Sequence, residues 1–147
     1  MNVHWTLPCD VSSVGDARWA LRSMLDEAGS PVDESNAAAM VITELLANAI
    51  IHSDRNSDLV EVVIESSERQ IHIEVTDHNP GAPVQREVNR DAPSGRGLTI
   101  VDALSTAWGW DRMDGEGNRV WCDVPRSGDP PGGTFGRDRA PGVGRGF

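Results

Sequence analysis

Lysine is absent from this 147-residue chain, and all 13 of its basic side chains are arginine. A phosphate loop of the Walker-A type is therefore excluded, because its Lys is the group that reaches the phosphates. Protein kinases that grip phosphates with a strand Lys are excluded as well. So is any lysine Schiff base with a carbonyl substrate or pyridoxal phosphate. Cysteine is nearly absent. Cys9 and Cys122 are too few for a disulfide framework or a Cys-rich zinc site, and read as small buried apolar side chains. Long apolar runs are missing, since none approaches the roughly 18 residues that a membrane-spanning helix needs. The opening MNVHWTLPCDV lacks the basic start and apolar centre of a signal peptide, so a soluble cytoplasmic protein is expected. Positive charge is scarce too. The formal net charge is -10, the reverse of the basic footprint of a duplex-DNA binder. It also disfavours an anionic membrane surface. Neither nucleic acid nor membrane is expected as a partner.

What is present divides into two parts. Residues 126–147, RSGDPPGGTFGRDRAPGVGRGF, are rich in Gly, Pro and Arg and show neither helical nor strand period. Such a stretch buries too little surface to offset its ordering entropy, so it reads as a mobile, locally basic tail. Residues 1–125 carry clear periods. A short strand is expected at Trp5–Leu7. Val14, Ala17, Leu21, Leu25 and Ala28 form one stripe of a helix over 13–28 that stops at Gly29. A longer helix is expected over 33–52. Residues 59–65 and 71–76 alternate apolar and polar side chains around the turn Ser66-Ser67-Glu68-Arg69, which predicts a hairpin. A short helix from Gly97 to Leu104 and strands over 106–112 and 118–124 follow. The order β-α-α-β-β-α-β-β predicts an α+β fold: a two-layer sandwich with helices on one face of a mixed, mostly antiparallel sheet.

Three polar features interrupt these periods. Within VITELLANAIIHS, Glu44, Asn48 and His52 recur at i, i+4 and i+8 and so share one helical face. That face either meets solvent or lines a cleft. In a cleft, Glu44 supplies a carboxylate base and Asn48 an oxygen for Mg²⁺, which needs few protein ligands when phosphates complete its octahedron. In VTDHNPGAPV, Asp77 closes a strand and Gly81 follows four residues on. This is either an ordinary turn or a carboxylate placed for a base amino group beside backbone that a ligand can approach. In SGRGLTIVDALSTAWGW, Gly95 and Gly97 precede the expected helix. They form either a tight loop or an anion cup at a helix N-terminus.

Taken together, ELLANAIIH (44–52), VTDHNPG (75–81), GRGLTIVDALSTAWG (95–109) and RVW (119–121) resemble the GHKL, or Bergerat-fold, ATPase superfamily. Among its branches the chain is most similar to the small serine-kinase anti-sigma factors of bacterial partner-switching systems. The resemblance covers roughly residues 5–124 and agrees with a lysine-free chain, because this fold uses no Walker lysine. It implies a histidine kinase-like ATP-binding domain over residues 1–125, with ATP and Mg²⁺ as ligands. By position it implies Glu44 as general base, Asn48 as the Mg²⁺-coordinating residue and Asp77 as the acceptor of the adenine amino group. Gly81, Gly95, Arg96, Gly97 and Leu98 then border the nucleotide, and His52 stands where the branch usually has His. Two positions depart from the pattern: Asn79 replaces the first Gly of DxGxG, and Asn118 stands where relatives often have Lys.

The implied function is an ATP-dependent protein-serine kinase that phosphorylates an STAS-type anti-anti-sigma protein and sequesters a sigma factor. Homodimers are common in that branch. Two alternatives stay open. One is a docking regulator of the same fold with weak nucleotide binding and no turnover. The other is a detached histidine-kinase catalytic domain, against which the short stretch 82–94 between Gly81 and Gly95 and the lack of a phosphoacceptor helix pair both count.

Overall fold

The first helix shows how local sequence sets the frame. Asp10 enters it in an extended conformation, and the Ser13 hydroxyl donates to the Pro8 carbonyl at 2.7 Å, tying the helix start to the preceding strand. At the other end Gly29 takes φ +82°, and Ser30 N–H returns to the Leu25 carbonyl at 3.0 Å. That is a left-handed glycine cap, a conformation in which a Cβ would be strained. A computed structural model describes residues 1–51, 59–77, 93–113, 117–126 and 134–135, with the backbone alone for 93–98, 112–113 and 134–135.

In chain order the elements are β1 (Asn2–Pro8), α1 (Val11–Glu27), α2 (Val32–Ile51), β2 (Leu59–Ser66), β3 (Gln70–Asp77), α3 (Pro93–Leu104), β4 (Ala107–Met113), β5 (Gly117–Pro125) and β6 (Thr134–Phe135). The strands form one sheet in the order β1-β2-β3-β5-β4-β6. Every neighbouring pair is antiparallel except β4 with β6. The hairpin predicted between β2 and β3 is present, and Ser67 Oγ accepts from the N–H groups of Arg69 and Gln70 at 3.3 and 3.2 Å.

Alternation along the strands divides the sheet into two faces. Val60, Val62 and Ile64 of β2, Ile71, Ile73 and Val75 of β3, and Val120, Cys122 and Val124 of β5 point one way. They meet Ala17, Leu21 and Leu25 of α1, Ile42, Leu45, Leu46 and Ala49 of α2, and Val101 of α3 in a single core. The expected α+β sandwich is therefore the observed one, and the apolar side of α2 docks on the sheet as its pattern predicted.

Several expectations need correction. Ala28 is exposed rather than part of the α1 stripe, because the glycine cap turns the chain away there. The third helix begins at Pro93, not near Leu98. Proline suits a first helical position, where its missing N–H would be unpaired anyway. Gly95 and Gly97 consequently lie inside the opening turns of α3 rather than ahead of it. Arg126, assigned by composition to a mobile tail, packs against the body. Its guanidinium donates to Glu34 Oε2 at 3.2 Å, Ser66 Oγ at 2.6 Å and Ser30 Oγ at 2.9 Å, and its N–H to the Arg69 carbonyl at 2.9 Å. Thr134 and Phe135 of the same segment pair with Ala107 and Trp108 as strand β6. On β3 the polar residues His72 and Thr76 are buried too, at 3% and 8% exposure.

Candidate nucleotide site

The Arg126 contacts orient the helical layer. They hold Glu34, in the first turn of α2, beside Ser66 at the end of β2. The helix packs along β3 and β5. At about 1.5 Å per residue, Asn48 lies roughly 21 Å further along the axis. An eight-residue strand spans about 26 Å. The Asn48 end of α2 therefore reaches toward the opposite edge of the sheet, where β3 ends at Asp77 and β5 begins.

At that edge the ladder sets Asp77 directly opposite Asn118, with Val60 of β2 on the other flank of Asp77. Asp77 and Asn118 have the same parity as the core-facing residues of their strands, so both point toward the helices. They are 3% and 1% exposed. Among the described residues, neither side-chain atom of Asn118 has a hydrogen-bond partner. A buried amide without partners costs on the order of 1–3 kcal/mol, and such a group calls for an explanation. A ligand edge offering both a donor and an acceptor supplies one. The carboxylate of Asp77 is acceptor-only, and the amide of Asn118 both donates and accepts. Together they match the amino group and ring nitrogen on the edge of an adenine.

On α2, Asn48 is 8% exposed, and Glu44 is half-buried one turn before it. The stripe thus runs along the boundary of the core. Among the described residues no group of three or more His, Cys, Asp or Glu side chains could hold a metal ion. An Mg²⁺ ion here would depend on phosphate oxygens with Asn48 as its protein ligand, which fits the sparse protein ligation of that ion. Gly81 and His52 lie outside the described residues, as does Asn79. Gly95, Arg96, Gly97 and Leu98 fall in the first turns of α3, which packs against α2. Trp108 fixes α3 to the sheet by donating from Nε1 to Asp102 Oδ1 at 2.9 Å.

Charges next to the site are internally balanced. Arg119, following Asn118, donates to Asp111 at 3.1 and 2.7 Å, and lies 3.7 Å from Glu74. Burial works against its charge, but the hydrogen bond to Asp111 and the negative charges of Glu74 and Asp111 outweigh it and hold its pKa above the usual value. Cys122, opposite Trp108 in the ladder, is driven strongly upward by burial, with Asp123 adding to the rise and a Ser105 hydrogen bond opposing it. Burial of this depth favours the neutral thiol over the thiolate that acts as nucleophile. A separate cavity of about 550 Å³ at the far end of the sheet is lined by Glu34, Ser66 and Arg126 among others. It belongs to the Arg126 contacts, not to this site.

Asn118 is the residue that motif reading treated only as a departure. Its signal was nonetheless in the pattern, because it shares strand parity with Val120, Cys122 and Val124.

The two-layer sandwich carries a buried Asp–Asn pair where β3 ends and β5 begins, on the face of the sheet that meets the helices. Residues 7–123 match the family described as the histidine kinase-like ATPase domain, and the chain belongs to that family. Among solved structures it is similar to the histidine kinase domain of the blue-light activated histidine kinase EL346 from Erythrobacter litoralis. The TM-score is 0.54 and the identity 24%. The match covers 82% of this chain and 62% of that one, a likeness of fold. No curated protein matches the chain. Among the described residues, no helix is long and apolar enough to cross a membrane.

Proposed function

We propose that the chain is an ATP-dependent protein-serine kinase of the anti-sigma type, acting on an STAS-type antagonist and docking a sigma factor. The observation that carries this reading is the placement of Glu44 and Asn48 on α2, running toward the sheet edge that holds Asp77 and Asn118. The similarity of ELLANAIIH and GRGLTIVDALSTAWG to that branch supports it.

In this reading Asp77 accepts from the adenine amino group, and Asn118 pairs with the neighbouring ring nitrogen. Asn48 would hold Mg²⁺ through its side-chain oxygen, and the ion when bound would neutralise charge on the phosphates. Glu44 accepts the proton of the partner's serine hydroxyl. The serine oxygen bonds to the γ-phosphorus, the bond from that phosphorus to the bridging oxygen breaks, and ADP leaves with the electron pair. Positioning and charge supply most of the catalysis in such transfers.

The test is a phosphotransfer assay with labelled ATP, Mg²⁺ and STAS proteins containing a candidate serine. Acid-stable label on the STAS protein, lost when its serine is replaced by alanine, is the expected result. Acid-labile label would mark a phosphohistidine and the histidine-kinase alternative. Stable complex formation without label would mark the docking regulator.

A further inference from the structure

Asn118 sits between a pivot and a clamp. On its N-terminal side is Gly117, with φ +103°, a residue whose wide conformational range imposes little on the backbone that follows. On its C-terminal side is Arg119, whose side chain lies on the other face of the sheet, because successive strand residues alternate. The ladder rung through Arg119 joins Asp111 of β4 to Thr76 of β3. It is adjacent to the rung on which Asn118 meets Asp77. Arg119 grips both flanking strands. Its Nε and Nη2 donate to Asp111 at 3.1 and 2.7 Å, and its Nη1 lies 3.7 Å from Glu74 of β3.

The rest of that face holds the clamp in place. Asp111 is buried and Arg119 half-buried, so water competes weakly for the pair. Two parallel bonds between a guanidinium and a carboxylate also fix the plane of both groups. Two residues further along β5, the indole of Trp121 lies against Gly109 of β4, where an added Cβ would stand 3.0 Å from it. Glu74 is held from its other side by His72, whose Nε2 lies 3.3 Å from it and whose Nδ1 lies 2.6 Å from Asp123. The inner face offers Asn118 no such support, since its amide has no hydrogen-bond partner among the described residues. An amide without an anchor is aimed by its backbone, and Arg119 fixes that backbone.

We propose that Arg119, through its grip on Asp111 and Glu74, is the positioning residue that aims the Asn118 amide beside Asp77 and thereby sets the preference for adenine. The proposal rests on the adenine assignment of that pair. Arg119 makes no contact with the nucleotide, because the sheet separates them. Its loss costs discrimination of the base and leaves the grip on the triphosphate.

Inosine triphosphate is the reference ligand. It has the sugar and phosphates of ATP but an oxygen in place of the amino group, so the acceptor-only carboxylate of Asp77 gains nothing from it. Calorimetric titration of the full chain with each nucleotide in Mg²⁺ gives the ratio of the two affinities. Arg119→Met keeps the length of the side chain and removes the fork. Its preference for ATP should fall about five-fold or more, with the affinity for inosine triphosphate unchanged. Arg119→Lys keeps the charge but grips at one point, and its ratio should lie between those of Arg119→Met and the wild type. Asp111→Asn should reproduce the loss, and adding Arg119→Met to it should deepen the loss little, because the two residues act as one unit. If Arg119→Met does not fold, the Lys and Asp111→Asn variants carry the same test. A merely structural role predicts equal losses for both nucleotides with the ratio kept, and that result would overturn the clamp while leaving the adenine assignment standing. A wild type that binds neither nucleotide, or that shows no preference between them, would overturn the adenine assignment and the clamp with it.

Discussion

Asp77 and Asn118 face each other across the β3–β5 ladder, both buried, the amide of Asn118 with no hydrogen-bond partner among the described residues. A fold optimised for ligand-free stability would fill the Asn118 position with an apolar side chain. Asn118 instead leaves polar capacity facing the helical layer, as expected where a ligand completes the structure.

Replacing Asn118 should therefore shift stability and binding in opposite directions. Asn118→Leu is similar in size and removes both orphaned atoms, whose burial costs about 1–3 kcal/mol. The ligand-free variant should show a denaturation midpoint at or above that of the wild type. Its ATP affinity should fall by about ten-fold or more. At ATP concentrations near 100 times Kd the wild type gains about 2.7 kcal/mol, and the variant should gain much less. Equal ATP-induced stabilisation in both proteins would detach Asn118 from the site.

Recognition and chemistry should separate between strand and helix. Asp77→Asn should weaken ATP binding about ten-fold or more, and the wild type should prefer ATP to GTP, whose carbonyl offers that carboxylate no donor. Asn48→Ala should weaken only the Mg²⁺-dependent part of binding. Glu44→Ala should retain most ATP affinity and lose phosphoryl transfer by about 10²–10⁴-fold. Calorimetric titration with and without Mg²⁺, beside the phosphotransfer assay, checks all three. Full transfer by Glu44→Ala would remove it as the base, and unchanged affinity in Asn48→Ala would remove the metal assignment.

The elements that hold this site were legible where one period dominates. Ile42, Leu45, Leu46 and Ala49 fall at i, i+3, i+4 and i+7 of one helix and are core; Val60, Val62 and Ile64 alternate and are core. The Glu44/Asn48 stripe was read from helical spacing and Asp77 from its place at a strand exit, while their roles came from the resemblance to a family. What escaped depends on contacts between distant parts of the chain. The start of α3 at Pro93 was hidden because two glycines discourage a helix locally, while packing against α2 and β4 overrides that preference. The burial of His72 and Trp121, at 3% and 1% exposure, is shown only by the tertiary structure. Arg126 looked like the first residue of a tail because composition cannot register four hydrogen bonds to residues 30, 34, 66 and 67.

Arg126 links three segments, the α1–α2 connection, the first turn of α2 and the β2–β3 turn. Its partner Glu34 has a side chain only 8% exposed. Arg126→Ala leaves that carboxylate without this cation and should cost about 1.5–3 kcal/mol, the range for hydrogen bonds to charged groups. A chain ending at Pro125 should be destabilised by at least as much, whereas one ending after Arg126 should recover most of the difference. Urea denaturation of the three proteins tests this, and equal midpoints would show that these contacts contribute nothing net.

Alkaline titration offers a narrow test of the core, because the chain has neither Lys nor Tyr. Arginine titrates only above about pH 12. Between pH 9 and 11 thiols are therefore the side-chain type that ordinarily titrates. Burial, reinforced by the charge of Asp123, holds the Cys122 thiol far above its ordinary 9.0. Native Cys122 thus keeps its proton at a pH where the unfolded chain has lost it. The native state then binds more protons than the unfolded state, and the stability derivative with respect to pH is negative. The contribution is fully present below pH 9 and declines as pH rises, by up to about 1.4 kcal/mol per pH unit for one fully shifted group. Cys122→Ala should begin from lower stability, because it leaves a small void in the core, but should show a flatter profile from pH 9 to 11. Urea midpoints of both proteins across that range decide the matter. Parallel profiles would mean that Cys122 ionises in the folded protein, which a thiol sealed between β3 and β4 does not do.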